Sequence, residues 1–477
     1  MVLLSFQEIR AQDKTQYLLH EIPQNISLNP AITYTCKNYI ELPLISQLQF
    51  SYRNNAFTHR QIFNSGQGIT GDSVKVDINR LSEVLGNRNH IRLAGRINLL
   101  GFGFAWQDWF FSFNASNRSA MRLSFNRDIL DARDGNWNIS ANEPREININ
   151  GTGLHLLNYT EFAFGAGYEL YPGFSFGMRA KYLMGSAHLQ TRRSDIRLET
   201  NSSPIQLTGY SDLLVRGSLP VTLGVDSDGY LNSFESGIES VYDLPALLLS
   251  WNHGFALDAG VIYEFSSQLT GSASILDLGF IRWRKNINVI SQEEVFAFDG
   301  VDLNEYLSGG TETDFLQAME DSISAKLFLE ASENPYNAML PARFLAGLEY
   351  KWKPKVSLGA VMEGEILSGR FYPSLSLTAI ARPIEWLTAS LSYSIMDRWF
   401  SNFGFGIAAG NGPVQFYIVS DNIPLRYVKE TETGIIWPYH ARTFNFRTGL
   451  NIIIGCPEKQ DTRRKAMKWK KSCPTYN

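Results

Sequence analysis

Alternation of apolar and polar residues with a period of two is the feature that most constrains how this chain can fold. Near its end the chain reads FNFRTGLNIII, residues 444–454. In an extended strand, the phenylalanine, leucine and most isoleucine side chains of this stretch fall on one face, whereas its asparagines, Arg447 and a glycine fall on the other. Ile453 is the one large apolar residue on the polar face. The pattern predicts a strand with one oily and one polar face.

The same alternation recurs along most of the chain, for example in FAFGAGYEL (162–170), FSFGMRAKY (174–182) and LTASLSYSI (387–395). The apolar face is rich in Phe, Tyr and Leu, and the other face holds Gly, Ser, Ala and scattered charges. The sequence contains no run of about 18 apolar residues, so it predicts no transmembrane helix. With 13% aromatic and 19% charged residues, the composition fits either a large soluble all-β protein or a membrane β-barrel.

The lengths of the connections distinguish these two folds. Tight turns are predicted at 171–173, 353–355 and 382–383, and long excursions separate many of them (52–90, 123–161, 285–342 and 421–442). Alternation of short and long connections places all the tight turns at one end of the sheet. Short periplasmic turns and long extracellular loops are typical of an outer-membrane barrel, whereas a soluble sandwich does not segregate its loops. Tyr171, Trp352 and Trp386 lie beside tight turns, where an aromatic girdle is expected.

The sequence therefore predicts an all-β fold, an antiparallel transmembrane β-barrel of about fourteen strands. The predicted strands are 38–51, 91–105, 109–121, 162–170, 174–186, 254–264, 268–284, 343–352, 356–366, 372–381, 386–395, 402–409, 413–420 and 443–454. Sixteen strands is the alternative, because 188–216 also alternates. However, its pattern would turn Arg193 and Asp195 towards lipid, which costs roughly 2–4 kcal/mol for an arginine at mid-depth. We interpret 188–216 as a hairpin that extends outside the membrane.

Three regions are predicted. Residues 1–37 form a truncated signal remnant and a periplasmic N-terminal segment, 38–455 form the barrel, and 456–477 form a basic periplasmic tail. The apolar stub 2–6 followed by Ala-Gln-Asp resembles a shortened signal peptide; a disordered polar N-terminus is the alternative. The tail is predicted to be solvated, or to dock on an envelope component.

One segment has a helical period. In TDFLQAMEDSISAKLFLE, residues 313–330, Phe315, Met319, Ile323 and Leu327 recur every four residues, which predicts an amphipathic helix inside the longest loop. The helix could pack on the barrel rim, act as a lid or plug of the lumen, or lie on the membrane surface.

Motifs for catalysis or cofactors are not found. GQGITG (66–71) has the letters of a phosphate-binding loop but leads into no βαβ unit. The seven histidines have no metal-ligand spacing, and His253 would be the candidate base if the barrel were a lipid-modifying enzyme. A net charge of −4 without a basic stripe argues against nucleic-acid binding. The sequence predicts no enzyme activity, cofactor or metal.

Charged residues on the polar strand faces are the candidate functional residues, because they would face the lumen. Both signs are present, which favours pairs that neutralise one another inside the barrel; a polar permeation path is the alternative. The candidates are Arg179, Lys181, Asp258, Glu264, Arg343, Glu349, Lys351, Glu363, Glu365 and Arg447.

The three cysteines leave two possibilities. In an oxidising compartment Cys456 and Cys473 could pair and leave Cys36 over, or all three could be unpaired thiols.

Several strings resemble a family of bacterial envelope proteins. They are SLNPA (27–31), ASILDLGFIRWRKN (273–286), FAFDGVDLNEYL (296–307), GPVQFYIVSDN (412–422) and FNFRTGLNIIIG (444–455). The chain is similar over nearly its whole length to domain of unknown function 5723 of the Bacteroidota. The resemblance implies an outer-membrane barrel built like the long-chain fatty-acid transporter and type IX secretion-associated barrels, and it implies no assigned activity.

We therefore expect a non-enzymatic barrel of the bacterial outer membrane. It would passively transport a small molecule, which could be hydrophobic, or would serve as a scaffold for a secretion or uptake complex. An outer-membrane lipid-modifying enzyme and a secreted β-rich adhesin are the alternatives. The expected partners are outer-membrane lipid and other envelope proteins, with no nucleic acid.

Overall fold

The computed structural model describes most of the predicted barrel. The described residues are 13–34, 36–58, 61, 78–131, 137–138, 143–144, 146–202, 205–225, 231–236, 252–298, 328–331, 334–367, 370–396, 399–410, 412–423, 427–429, 436–438 and 442–455.

Fourteen strands of the described chain follow one another around a closed antiparallel barrel. In chain order they are β1 (Asn38–Glu41 and Leu48–Asn54), β2 (Asn89–Trp106), β3 (Trp109–Phe125), β4 (Gly153–Tyr171), β5 (Phe174–Ser202), β6 (Asn252–Glu264), β7 (Leu269–Trp283), β8 (Ala342–Lys353), β9 (Val356–Leu367), β10 (Arg370–Ile384), β11 (Leu387–Met396), β12 (Trp399–Ala409), β13 (Val414–Ser420) and β14 (Thr443–Ile454). This confirms the predicted fold class and the count of fourteen.

Strand β14 closes the barrel. It pairs with β13 on one side, and on the other with both halves of β1, where Ile454 lies opposite Asn38 and Thr448 lies opposite Leu48. Closure leaves no strand edge in the membrane, where an unpaired backbone group would find no water.

The two faces of the strands point as the sequence predicts. In β11, Leu391 is 70% exposed on the outside, whereas its neighbour Ser392 is 4% exposed inside. The tight turns lie at one end of the barrel, which we call the tight-turn end; the opposite end is the long-loop end. Four large aromatic side chains are exposed beside the tight turns, namely Trp106, Tyr171, Trp352 and Trp386. The outer surface therefore has the apolar wall and aromatic girdle of a membrane barrel.

A β-ridge extends beyond the barrel at the long-loop end. Strand β5 continues past the barrel and pairs there with Ile205–Ser218, which in turn pairs with Ile287–Phe298, and that strand with Phe328–Ala331. Ile205–Ser218 does not lie between two barrel strands. Residues 188–216 therefore form a hairpin outside the barrel, as predicted, and the sixteen-strand alternative is wrong.

The remaining elements are short. They are the helices Lys14–Tyr17, Ile78–Val84 and Asp128–Asp131, the 3-10 helix Pro23–Ser27, and the strands Trp137–Asn138, Glu143–Pro144, Ile147–Asn148, Val221–Val225, Leu231–Ser236, Tyr336–Met339, Tyr427–Lys429 and Ile436–Pro438. Among the described residues, no helix has the length and apolar character needed to cross a membrane. Residues 313–327 of the predicted amphipathic helix and the GQGITG loop lie outside the described residues. Residues 328–330, predicted as the helix end, belong to a strand.

The N-terminal segment 13–34 packs inside the barrel, and we call it the plug. The sequence predicted a periplasmic segment here, without foreseeing that it fills the lumen. Its apolar side chains are almost fully buried against interior residues of the wall, and together they form one core cluster: Tyr17, Leu18, Leu19, Ile22, Leu28, Leu276, Leu345, Val361, Ile380, Ala408, Tyr417 and Val419. The small residues on the inner strand faces leave the space that these side chains occupy.

A second cluster closes the tight-turn end of the plug. Ile453, the apolar residue on the polar face of β14, is 2% exposed and packs with Ile26, Ile32, Tyr34 and other residues of this cluster. Cys36 belongs to the same cluster and is disulfide-bonded. Both sequence-based possibilities for Cys36 are therefore wrong.

The orientation of β11 can be tested by single-cysteine labelling. A fluorophore attached to Leu391→Cys should be quenched by a lipid-phase quencher, because this side chain faces outward. The same fluorophore at Ser392→Cys should label poorly and should not be quenched. Quenching at residue 392 in preference to 391 would reverse the assignment of the two faces, and quenching at neither would contradict a membrane barrel.

Candidate functional site: the barrel interior

Eight of the ten candidate charged residues are buried inside the barrel, each 7% exposed or less. They are Arg179, Lys181, Asp258, Arg343, Glu349, Glu363, Glu365 and Arg447. Glu264 and Lys351 are exposed instead. Both lie at the tight-turn end of their strands, where the wall no longer encloses them.

A β-bulge between β6 and β7 adds a charge that alternation alone would misplace. The register shifts between Leu257 and Ala259, so that Leu276 and Asp277 on β7 are both buried instead of alternating. Asp277 has a φ of 60°, and its backbone N–H donates to the Asp258 carboxylate at 2.8 Å. A bulge commonly re-aims a side chain in this way. Here it turns a second carboxylate towards Lys181.

Lys181 is the centre of the resulting ion-pair network, and its side chain is fully buried. Its ammonium nitrogen lies 2.6 Å from a carboxylate oxygen of Asp258 and 2.6 Å from one of Asp277. Glu161 lies 3.7 Å away. Two carboxylates facing each other at this depth would repel strongly without the ammonium between them.

Three arginines complete the network around these carboxylates. Arg118 pairs with Asp277 at 3.1 Å and with Glu161 at 3.1 Å. Arg96 lies 3.4 Å from Glu161, and Arg179 lies 3.7 Å from Asp258. Arg179 also donates to the Asn114 amide oxygen. The network therefore joins β2 to β7 through the interior, across six of the fourteen strands.

Sequence reasoning missed four members of this network. Arg96, Arg118 and Glu161 occupy inward-facing positions of β2, β3 and β4. The apolar–polar alternation of these strands is therefore sufficient to predict them. Asp277 could not be found in this way, because without the bulge it would be on the outward face.

A second network fixes the start of the plug. The Asp13 carboxylate pairs with Arg447 of β14 and, at 2.7 Å, with Arg343 of β8. Arg343 also pairs with Glu363 at 2.8 Å, and Arg447 also donates to Gln16. One aspartate thus connects the plug to two separate parts of the wall.

Hydrogen bonds hold the plug between these ion pairs. The Thr15 hydroxyl lies 2.6 Å from the Ser392 hydroxyl, and the Thr15 backbone N–H donates to Asp421 at 2.6 Å. Lower in the lumen, the Gln24 amide donates to the Asn451 side chain at 2.6 Å. These partners lie on the inner face of β11, directly after β13, and on β14. The plug therefore forms hydrogen bonds with polar side chains that the strand alternation directs into the lumen.

Charged pairs also anchor the plug at the tight-turn end. Arg382 donates to Glu21 at 2.5 Å and lies 3.6 Å from Glu349. His20 lies 3.5 Å from Glu349. Here the sequence candidate Glu349 meets two partners that alternation did not indicate.

Glycines in the wall make room for the plug backbone. A Cβ atom built on Gly177 would overlap the carbonyl of Pro30, and one built on Gly260 would overlap the Asn29 side chain. The Asn29 amide donates in turn to Tyr17 at 3.2 Å. At these two positions, glycine on the inner face lets the backbone of the plug approach the wall.

Aromatic residues lie above the Lys181 network, where β5 leaves the barrel. The His188 ring stacks on Trp283 with 5.1 Å between centroids, and its Nδ1 lies 2.8 Å from the Tyr336 hydroxyl. Arg216 lies 3.9 Å above the Tyr336 ring. His188 is 1% exposed, so its ring is enclosed by these neighbours.

The outer wall carries an apolar hollow of about 640 Å³ beside the bulge. It lies across β4 to β7 and the strand Tyr336–Met339, and Lys181 is among its lining residues. Its large apolar side chains are Phe164, Tyr182, Phe255, Leu257, Leu278, Phe280 and Met339. The hollow and the buried ion-pair network are thus on opposite faces of the same part of the wall.

His253, the candidate base, is at the start of β6. Its Nδ1 lies 2.6 Å from the hydroxyl of Tyr182 and its ring stacks on the same tyrosine. In the part of the chain that the structure describes, no group of three or more His, Cys, Asp or Glu residues is arranged to hold a metal ion.

The family of unknown function DUF5723 matches residues 30–421 of the chain. The chain belongs to DUF5723. A comparison with curated proteins finds no match. The match includes the barrel up to β13 and begins within the plug, at Pro30.

Solved structures similar to this DUF5723 barrel are distant. A FadL homologue of Pseudomonas aeruginosa is 12% identical, with a TM-score of 0.42, over 93% of this chain and 96% of that one. The toluene transporter TodX of Pseudomonas putida is 8% identical, with a TM-score of 0.37, over 90% and 92% of the two chains. The monoaromatic hydrocarbon channel CymD is 10% identical, with a TM-score of 0.32, over 90% and 91%. At this distance the likeness carries no argument about function.

The Lys181 network should be essential for stability. Lys181→Met leaves two buried carboxylates without their shared ammonium, so we expect a loss of about 3–5 kcal/mol in the free energy of unfolding. The measurement is urea unfolding of the refolded barrel in uncharged micelles, followed by tryptophan fluorescence. Arg197→Met is the control, because Arg197 makes an exposed pair with Asp195 and should change little. Equal effects of the two substitutions would contradict the assignment.

Proposed function

We propose that this barrel is a non-enzymatic, passive transporter of small hydrophobic molecules in the bacterial outer membrane. The observation that carries the proposal is the 640 Å³ hollow in the lipid-facing wall, lined mainly by aromatic and aliphatic side chains. A path for ions or sugars needs a polar, water-filled lumen, whereas here the plug packs apolar side chains into the interior. Outer-membrane lipid is the partner that the exterior fits.

A hydrophobic molecule bound in the hollow would be shielded from bulk water. It adjoins the bulge, where the ladder between β6 and β7 is locally irregular. A bulge leaves a residue unpaired and weakens the local ladder. We infer that a molecule exchanges at this place between the lumen and the lipid, and that movement of the plug opens the lumen. No energy source is required, because the molecule moves down its gradient.

Filling the hollow should block uptake. Intact cells that produce the barrel should take up N-phenyl-1-naphthylamine, an uncharged dye that fluoresces in lipid, faster than cells without it. Leu278→Trp/Met339→Trp should return the rate towards that of cells without the barrel, because the larger rings occupy the hollow. The matched control is Leu377→Trp/Leu391→Trp, which changes two exposed wall residues away from the hollow.

The same experiment can reject the proposal. Equal uptake by the two double variants at equal protein level would show that the hollow is not on the route. Swelling of proteoliposomes in a neutral sugar, with no faster dye uptake, would identify a polar pore instead.

A further inference from the structure

Arg216 lies at the long-loop end of the barrel, where the β-ridge begins. In register it is opposite Gln190 of β5 on one side and Val289 on the other. Ser218, two residues further along the same strand, lies opposite His188, and both of these residues are 1% exposed. Residues two apart on a strand share a face, as do residues directly opposite each other. Arg216 therefore belongs to the face that continues the inner wall of the barrel.

The ring of Tyr336 holds the guanidinium group of Arg216 in place. The central carbon of this group lies 3.9 Å from the centroid of the ring, which is a cation–π contact. Tyr336 is itself 8% exposed, and its hydroxyl lies 2.8 Å from the Nδ1 atom of His188. The N–H donors of a guanidinium group lie in its plane, so a group that stacks on a ring keeps its donors available. The stacking thus fixes Arg216 without using its hydrogen bonds.

The described chain supplies no acceptor for these donors. The Nε atom of Arg216 is buried without a hydrogen-bond partner, and no carboxylate of the described residues forms an ion pair with this side chain. Arg193 and Arg197 of the β-ridge differ, since they pair with Asp212 and Asp195. A buried donor without an acceptor is unfavourable. An acceptor group from outside the chain would therefore stabilise Arg216.

Trp283 contributes a second donor of the same kind. It is 0% exposed, lies opposite Tyr336 in register and stacks on His188. Its indole N–H, which can only donate, has no hydrogen-bond partner among the residues that the structure describes. Two buried donors that lack acceptors therefore adjoin Tyr336.

A second cation increases the positive charge around Arg216. Arg192 is the extra residue of the bulge at which the register of β5 shifts opposite Leu214 and Val215. Arg192 is exposed, and within the described residues it also has no carboxylate partner. Burial lowers the pKa of Arg216, and the charge of Arg192 lowers it further. The two arginines thus repel each other, and an anion beside them would relieve this repulsion.

We propose that Arg216 is the anchor of a binding site for a phosphate group at the mouth of the lumen. The planar fork of arginine matches phosphate oxygens, and Tyr336 covers one face of the group while its N–H donors bind the anion. Phosphate carries about two negative charges near pH 7.5, which the charges of Arg216 and Arg192 together balance. Binding at this site does not depend on the proposed transport function.

Inorganic phosphate is the first probe. The thermal midpoint of the wild-type barrel in uncharged micelles should rise in a saturable way with sodium phosphate, compared with sodium chloride at equal ionic strength. Arg216→Gln should weaken the apparent affinity by about tenfold or more. In chloride this variant should keep a thermal midpoint close to that of the wild type, because no ion pair is lost. Arg193→Gln removes an exposed arginine of the β-ridge and is the matched control, which should keep the full response.

Sodium acetate tests whether the site selects a dianion. Acetate carries a single negative charge, so it should raise the midpoint less than phosphate at equal concentration. An equal response to the two anions would contradict the joint role of Arg216 and Arg192.

A direct binding measurement does not depend on any variant. Equilibrium dialysis of the wild-type barrel with radiolabelled phosphate should show saturable binding, and lysophosphatidic acid in the micelles separates the two sources of the group. If inorganic phosphate binds, the site accepts a free anion; if only the lipid phosphate binds, it requires a head group. Binding of neither overturns the proposal. Phosphate binding without dye uptake would retain the site and reject the transport function.

An ion pair within the chain is the competing account of Arg216. Glu330 lies opposite Val289 and is thus on the same face, one strand further from Arg216. If these two residues were partners, Arg216→Gln and Glu330→Gln would lower the midpoint in chloride equally, and the response to phosphate would be absent. That result would overturn the proposal, whereas a phosphate response that Glu330→Gln retains and Arg216→Gln loses supports it.

Discussion

A strand in hydrocarbon must pair all of its backbone N–H and C=O groups with other strands, because lipid offers neither donor nor acceptor. This chain meets the constraint by pairing β14 with both halves of β1. Closure has a second consequence, since every other side chain must then point into an enclosed space. The polar face that would be solvated in a soluble sheet becomes the wall of a cavity, and each charge on it needs a partner within reach.

The chain supplies many of those partners from its own N-terminal segment. Asp13 neutralises arginines on β8 and β14, Glu21 pairs with Arg382, and the hydroxyl and amide groups of the plug bind the serine and asparagine side chains of the wall. Apolar residues between these groups fill the remaining space. The plug is therefore held in the lumen by polar contacts at both of its ends and by apolar packing between them.

The charges around Lys181 are balanced inside the barrel wall itself. Acids and bases there lie at distances of 2.6–3.7 Å and connect β2 to β7. This balance lets the wall bury so many charged groups without exposing them to lipid.

Period-two alternation predicted the strands, their faces and the closing role of β14, because burial in lipid and enclosure in the lumen both act on alternate residues. It predicted the eight enclosed charges for the same reason. Glu264 and Lys351 were misplaced because alternation does not show where the wall ends. Asp277 was missed because a β-bulge turns its side chain from the outward to the inward face. The plug was missed because its residues do not alternate as a strand does. Its position depends on contacts with wall residues that are hundreds of positions away in the sequence.

The central claim is that residues 13–34 occupy the lumen of the folded barrel in the membrane. Thr15→Cys/Ser392→Cys tests it most directly, because the two hydroxyl oxygens are 2.6 Å apart. The account predicts that the two introduced cysteines form a disulfide in native membranes, detected as a linked peptide by mass spectrometry without reduction. Thr15→Cys/Leu391→Cys should give no such peptide, since residue 391 faces lipid. No link in the first pair, or equal links in both, would contradict a plugged barrel.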